Sequence, residues 1–315
     1  MHLPRTFNKT RIAPTPSGFL HLGNLLSFVL TTAIARRNGA SILLRIDDLD
    51  QERCQKKYLQ DIFDVLHFME IPWDEGPRTV GEFRDSWSQI HRMHLYSSAL
   101  HKLLSYGKIF ACSCSRSQLQ RSSPDGIYAG TCTDAALPTA NPQLNWRLLT
   151  KENAKISIQN LDRPVIETTL PAQMNHFVVR KKDGMPSYQL ASLIDDLHFG
   201  IDLIVRGSDL WQSSIAQLYL SEQLPANHFS NAQFYHHALL KDESGRKLSK
   251  TAGSISIQFL RKEGKKKEEI FQLLAKLTDL PAGDINNWET FAEHYFALNG
   301  MQSDLPPIVS PEAAG

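Results

Sequence analysis

Long apolar runs are missing from this chain of 315 residues. None approaches the ~20 residues that a membrane-spanning helix requires, and the opening stretch MHLPRTFNKTR lacks the apolar centre of a signal peptide. Both absences lead to the expectation of a cytoplasmic protein without membrane contact. A charge imbalance is missing too: 34 Lys and Arg stand against 33 Asp and Glu, a net charge of +1. That balance neither favours nor excludes nucleic acid, because binding follows local patches rather than the total. The basic run Lys265-Lys266-Lys267 is followed by Glu268 and Glu269 and reads as a solvated helix face. Cysteine is scarce, with four in all: Cys54, Cys112, Cys114 and Cys132. A disulfide framework is not expected in that compartment, and the crowding of the last three into one short segment favours a metal. Cys54 reads as core packing within a helix.

What is present is alternation. With 42% hydrophobic residues the chain is long enough for a large core and more than one substructure. TRIAP reads as a strand and Leu20 to Arg37 as a helix, with Leu22, Leu25, Leu26, Val29 and Ile34 at helical spacing. SILLRID follows as a second strand and Gln51 to Met69 as a second helix. A βαβα opening favours a parallel sheet with crossover helices. A further helix is expected from about Trp87 to Tyr106, after which Phe110 to about Ala172 turns rich in Cys, Ser, Pro and Asn, in the manner of an insertion. The pattern then resumes with HFVVRKKDG as a hairpin arm, SYQLASLIDDLHFG as a helix and DLIVRGSDL as a buried strand. Beyond Gly253 the chain becomes helical in SIQFLRKEG and EEIFQLLAKLT, and SDLPPIVSPEAAG has the composition of a disordered tail.

Two stretches carry phosphate chemistry. In RIAPTPSGFLHLGN a helix begins directly after a strand, and its free N–H groups and positive dipole end favour an anion. Pro14 and Pro16 fix the approach, Gly18 and Gly23 allow close contact, and His21 in the first turn could donate to a phosphate oxygen. Far downstream, Lys247-Leu248-Ser249-Lys250 lies between Gly245 and Gly253, a hinged loop with two ammonium groups. In the cysteine segment CSCSRSQLQRSSPDGIYAGTC, three thiolates supply most of the tetrahedral set that zinc requires.

Taken together, the His-x-Gly-x corner and the Lys-Leu-Ser-Lys loop resemble the paired signature of class I aminoacyl-tRNA synthetases. RIAPTPSGFLHLGN, LLRIDDLD and GMPSYQLASLIDDLHFGIDLIVRGSDL resemble the motifs of the glutamyl branch in the same order, across most of residues 9 to 255. The resemblance implies an α/β Rossmann-type catalytic domain in two halves, 1–109 and 176–253. Between them it implies a zinc-containing insertion at 110–175, and after them a short helical stem-contacting domain at 254–300 and a tail at 301–315. It implies that His21, Gly23, Asn24 and Lys250 serve ATP, with His21, Lys247 and Lys250 catalytic. Arg11, Thr15, Asp47, Tyr188 and Arg206 would hold L-glutamate, and Tyr128 would join Cys112, Cys114 and Cys132 around a structural zinc, with Asp134 the alternative to Tyr128. Paired guanidinium groups suit a substrate with two carboxylates. The implied reaction is attack of the amino-acid carboxylate on the α-phosphorus of ATP, with magnesium accompanying the nucleotide.

Two positions depart from the glutamyl pattern. Asp47 stands where the branch has Glu, as in the related glutaminyl enzymes, and Ser192 stands where discriminating members carry Asn. About sixty residues follow the lysine loop, too few for the usual anticodon-reading domains. In this and in the Cys-x-Cys and Tyr-x-x-x-Cys pair the chain is similar to the glutamyl-queuosine tRNA(Asp) synthetases, which place glutamate on the modified wobble base. The anticodon stem-loop of tRNA(Asp) is then the expected partner and a monomer the expected state. The rival readings are glutamyl or glutaminyl activation for another acceptor, and a non-catalytic RNA-binding paralogue.

Overall fold

The computed structural model describes residues 7–123, 125–240, 256–281 and 283–300. In chain order the elements are β1 (Lys9–Ile12), α1 (Leu22–Arg37), β2 (Ser41–Leu44), α2 (Lys56–Phe68), the single turn α3 (Val80–Glu82), α4 (Met93–Ser105), β3 (Ile109–Cys112), α5 (Arg116–Ser122), β4 (Asn145–Leu148), β5 (Lys155–Asn160), β6 (Ile166–Thr169), β7 (Val178–Arg180), α6 (Tyr188–Phe199), β8 (Leu203–Gly207), α7 (Trp211–Glu222), β9 (Gln233–His237), α8 (Ile257–Lys262), α9 (Lys267–Leu277) and α10 (Trp288–Leu298). They gather into two compact units, and the chain passes between them more than once. The stretch 110–175, expected as an insertion, is part of a second unit that runs from Arg92 to Gly200 and from Asp209 to Gln233.

In the first unit the strands lie in the order β2-β1-β8-β9. β1 is parallel to β2, with Lys9 opposite Ser41 and Ile12 opposite Leu44, and parallel to β8, with Thr10 opposite Leu203. This is the expected βαβ opening of a Rossmann-type sheet. Helix α1 is buried on nearly every face, including Leu25, Val29, Leu30, Ala33 and Ile34, which fits a helix covered by sheet on one side and by α10 on another. Burial of Leu25, Val29, Leu30 and Ile34 contributes about 1.5–3 kcal/mol each. The outer edge of β2 is closed by residues 74 and 75: Glu75 O accepts from Leu44 N (2.9 Å), and the Asp74 carboxylate accepts from Ile42 N (2.7 Å) while pairing with Arg36. Gly76 makes this possible at φ 103°, where a Cβ would lie 2.3 Å from Leu44 O.

Helix starts differ from the sequence reading where polar side chains or the carbonyl of a preceding turn claim the backbone first. α1 begins at Leu22 with His21 as its cap. α2 begins at Lys56, because Asp50 O accepts from both Arg53 N and Cys54 N in a preceding turn, so Cys54 is half-buried in that turn and not in a helix core. Before α4, which begins at Met93, the expected helix opens as a short 3-10 turn, Gln89–Arg92, whose start is held by Asp48 through Ser88 Oγ (2.6 Å) and Gln89 N (2.8 Å). In the Lys265–Lys267 run, Lys265 lies just before α9 and pairs with Glu269 in the first turn of that helix, whereas Lys267 reaches Glu70.

The second unit holds a three-stranded antiparallel sheet in the order β3-β4-β7, the hairpin β5–β6, and helices α4, α6 and α7. α6 is framed as its sequence suggests, with the Ser187 side chain accepting from Leu190 N at one end and Gly200 at φ 69° closing the other. At its centre the fully buried Asp195 receives Arg92 Nε and Nη2 (2.8 and 2.9 Å) and Tyr96 Oη (2.7 Å).

Candidate functional site

Four of the chain's expected site residues stand where strands of the first unit end. The corner after β1 carries Thr15 and His21, the turn after β2 carries Asp47, and the end of β8 carries Arg206. In an open parallel sheet this carboxyl edge is where ligands bind. Arg11 lies on β1 itself and donates through Nη1 to Val205 O (3.4 Å), so both arginines belong to neighbouring strands, and both are buried. The corner is stitched to the turn after β2 by Arg45 N to Ile12 O and Asp47 N to Pro14 O, each 2.9 Å. Asp47 does not stand alone: Arg45 meets its carboxylate through Nε and Nη2 at 2.7 and 3.0 Å. Its orientation is therefore set by a buried guanidinium, a feature that residue type alone does not reveal.

His21 is the N-cap of α1. Its Nδ1 accepts from Gly23 N (3.1 Å), and Asn24 Oδ1 accepts from His21 N (3.0 Å), a reciprocal capping box. With Nδ1 accepting, the ring carries its proton on Nε2, the nitrogen able to donate to an anion. A Cβ at Gly23 would meet His21 Cε1 at 3.0 Å, so the His-x-Gly spacing keeps the ring seated, whereas Gly18 has nothing within 4 Å of an added Cβ. The first turn of α1 contains no acidic residue, so its dipole end stays positive. Behind the corner, Asp61 on α2 accepts from Leu20 N (2.8 Å), and burial pushes its carboxyl above the usual range.

Lys247 and Lys250 lie outside the described residues. The segments flanking them attach to this same corner. His237, at the end of β9, meets Ser27 Oγ on α1 (2.7 Å), and on the other side Ser256 bridges His21 while Ile257 N donates to Leu20 O (2.9 Å). Tyr188, the remaining expected pocket residue, opens α6 in the second unit and is exposed, and Ser192 is buried one turn later.

The cysteine segment closes on itself within the second unit. The sulfurs of Cys112, Cys114 and Cys132 lie within 4.8 Å of one another, with Cys114 and Cys132 3.7 Å apart. That is far beyond a disulfide, and a tetrahedral ion with Zn–S bonds of about 2.3 Å sets sulfurs about 3.8 Å apart. Tyr128 Oη is 3.6 Å from Cys112 Sγ and accepts from Cys132 N (2.9 Å), which gives the cluster a fourth group. Burial pushes the Tyr128 phenol up and, together with hydrogen bonding to Cys132, pushes the Cys114 thiol up to about 12. Burial acts upward on Cys132 as well, but hydrogen bonds from Tyr128, Ser113, Cys114 and Cys112 outweigh it and hold that thiol at about 7. The donor set suits zinc in chemistry and spacing. Among the described residues it is the sole grouping of three or more His, Cys, Asp or Glu able to hold an ion.

The sequence profile described as tRNA synthetases class I (E and Q), catalytic domain, matches residues 8–291. The glutamyl-Q tRNA(Asp) synthetase of Methylococcus capsulatus is 34% identical over 86% of this chain and 83% of its own length. That of Symbiobacterium thermophilum is 33% identical over 86% of each. The glutamate–tRNA ligase of Sulfurihydrogenibium is 29% identical over 85% of this chain, which spans 58% of that relative's length. Among solved structures, a glutamate–tRNA ligase from Elizabethkingia meningosepticum superposes with a TM-score of 0.73 at 21% identity, over 97% of this chain and 68% of the other, a likeness of fold.

Proposed function

Because the chain belongs to the class I tRNA synthetases for glutamate and glutamine, we propose that it activates L-glutamate with ATP and transfers it to the queuosine base at the wobble position of tRNA(Asp). The observation that carries the activation step is the strand-end assembly of the first unit. A capped helix with no acidic residue in its first turn lies on the same sheet edge as Arg206, with buried Arg11 on the neighbouring strand and Asp47 in the adjoining turn.

In this reading His21 donates from Nε2 to ATP while the first turn of α1 faces its phosphates, and Gly23 and Asn24 keep the imidazole in that pose. Arg11 and Arg206, with Thr15, engage the carboxylates of glutamate. Asp47, oriented by Arg45, receives the α-ammonium. The substrate carboxylate attacks the α-phosphorus, the bond to the bridging oxygen breaks, and pyrophosphate departs with the electron pair. Charge grows on phosphoryl oxygens during that step, so donors fixed beforehand stabilise the transition state more than the ground state. Lys247 and Lys250 would add cations. Magnesium, when bound with the nucleotide, neutralises phosphate charge. Cys112, Cys114, Cys132 and Tyr128 would hold a zinc that contributes to folding and takes no part in the chemistry.

The acceptor reading rests on the two glutamyl-Q relatives, which align over most of both chains. Glutamate-dependent exchange of pyrophosphate into ATP without RNA tests activation, and its absence would leave a non-catalytic RNA-binding paralogue. Labelled glutamate offered to tRNA(Asp) with and without queuosine tests the acceptor. Labelling only of the queuosine form is expected. Equal labelling of both, or transfer to a tRNA 3′ end, would overturn the acceptor assignment.

A further inference from the structure

Arg147 on β4 is buried, and its guanidinium makes three contacts in and beside the cysteine cluster. Nε donates to Cys112 Sγ at 3.2 Å, and the guanidinium carbon lies 3.9 Å from the centroid of the Tyr128 ring. Nη1 donates to the carbonyl of His176 at 2.7 Å. His176 sits in the left-handed region at φ 49°, a conformation that a non-glycine residue holds only when its surroundings enforce it. One buried cation thus touches two of the four groups in the cluster and is itself braced from outside.

We propose that Arg147 is the counter-cation and positioning residue of this metal site, holding the Cys112 thiolate and the Tyr128 ring in place while offsetting the surplus negative charge of a thiolate-rich shell. The inference rests on the zinc reading above. Three thiolates around a doubly charged ion leave one negative charge in excess, and a phenolate would leave a second. An uncompensated charge in a buried place is expensive. A guanidinium suits the task better than an ammonium, because its plane stacks on the ring while its fork serves the sulfur and the carbonyl in different directions. Groups that brace ligands in this way alter metal affinity by about 10- to 100-fold.

The test measures zinc affinity of the full chain by competition with a chromophoric chelator, for the wild type, Arg147→Lys and Arg147→Gln. Cobalt-substituted spectra are recorded in parallel. Lys keeps the charge and loses the fork, whereas Gln keeps a donor and loses the charge. The expected result is one tightly bound zinc in the wild type, a loss of ~10- to 100-fold in Gln and a smaller loss in Lys. The cobalt–sulfur absorption should weaken or shift in Gln and persist in Lys. Gln binding zinc as tightly as the wild type with an unchanged cobalt spectrum would overturn the proposal, and so would Lys falling as far as Gln. A wild-type chain that binds no zinc would instead remove the zinc reading, and the role of Arg147 with it.

Discussion

His21 spends one ring nitrogen on its own helix, and that use defines the other. Nδ1 accepts from Gly23 N, so the donor able to face a phosphate is Nε2–H. Replacing His21 by Ala should cut the rate of glutamate-dependent pyrophosphate exchange by ~100- to 1,000-fold, the usual effect of losing one transition-state donor, while the KM for glutamate changes little. Gly23→Ala is the finer probe. Its Cβ would stand 3.0 Å from His21 Cε1, so the ring must move by a few tenths of an ångström. Helix propensity favours Ala by about 1 kcal/mol, so thermal stability should hold or rise while exchange slows about tenfold or more. Unchanged exchange in Gly23→Ala would show that the seating of the ring is immaterial. Asp61 gives a pH signature at the same corner. Its carboxyl is raised, chiefly by burial, so the unfolded chain ionises more readily and Asp61 weakens the fold at high pH. Asp61→Asn keeps an acceptor for Leu20 N and removes that burden. Its gain in Tm should be full above the raised native value and vanish as pH falls to the ordinary Asp range near 4. A gain that persists unchanged at acid pH would refute this account.

At the scale of elements, what could be read ahead was periodicity and what could not was competition. The buried helix after TRIAP, the parallel pair β1 and β2, the capped α6 and the strand β8 follow from apolar spacing and from Ser187 and Gly200 at the ends. The late starts of α2 and α4 do not, because they depend on the Asp50 carbonyl and the Asp48 carboxylate taking N–H groups that a helix would otherwise use. The same limit holds in the candidate site. Arg11, His21 and Arg206 could be named from motifs, but the grip of Arg45 on Asp47 is a tertiary fact. So is the role of Asp195 inside SYQLASLIDDLHFG, where the first of two adjacent aspartates anchors Arg92 and Tyr96. Asp195→Ala leaves a buried guanidinium without that partner and should cost about 3–5 kcal/mol. Tyr96→Phe removes one hydrogen bond to a charged group and should cost about 1.5–3 kcal/mol. Denaturant unfolding of both variants checks the order, and an Asp195→Ala loss below that of Tyr96→Phe would refute the network as an anchor.

For the whole molecule, the His21 corner and the cysteine cluster fall in different compact units, each with its own buried residues: Leu25, Phe271, Phe291 and Phe296 in the first, Tyr96, Leu193, Ile215 and Phe229 in the second. A ligand protects most strongly the structure it binds, since stabilisation is passed on only through cooperative opening. Hydrogen exchange followed by mass spectrometry can therefore resolve the two sites in one experiment. A non-hydrolysable ATP analogue at a hundredfold its Kd stabilises the binding-competent state by about 2.7 kcal/mol. It should slow exchange in α1 by up to ~100-fold with little change between β3 and β4. Removing metal with a chelator should do the converse, raising exchange across Ile109–Cys112 and Asn145–Leu148, where the cluster's sulfur Cys112 and its brace Arg147 sit. α1 should then keep its protection, because the cluster's ligands belong to the other compact unit. Equal loss of protection in α1 and in β3 on chelation would mean that the two units open as one.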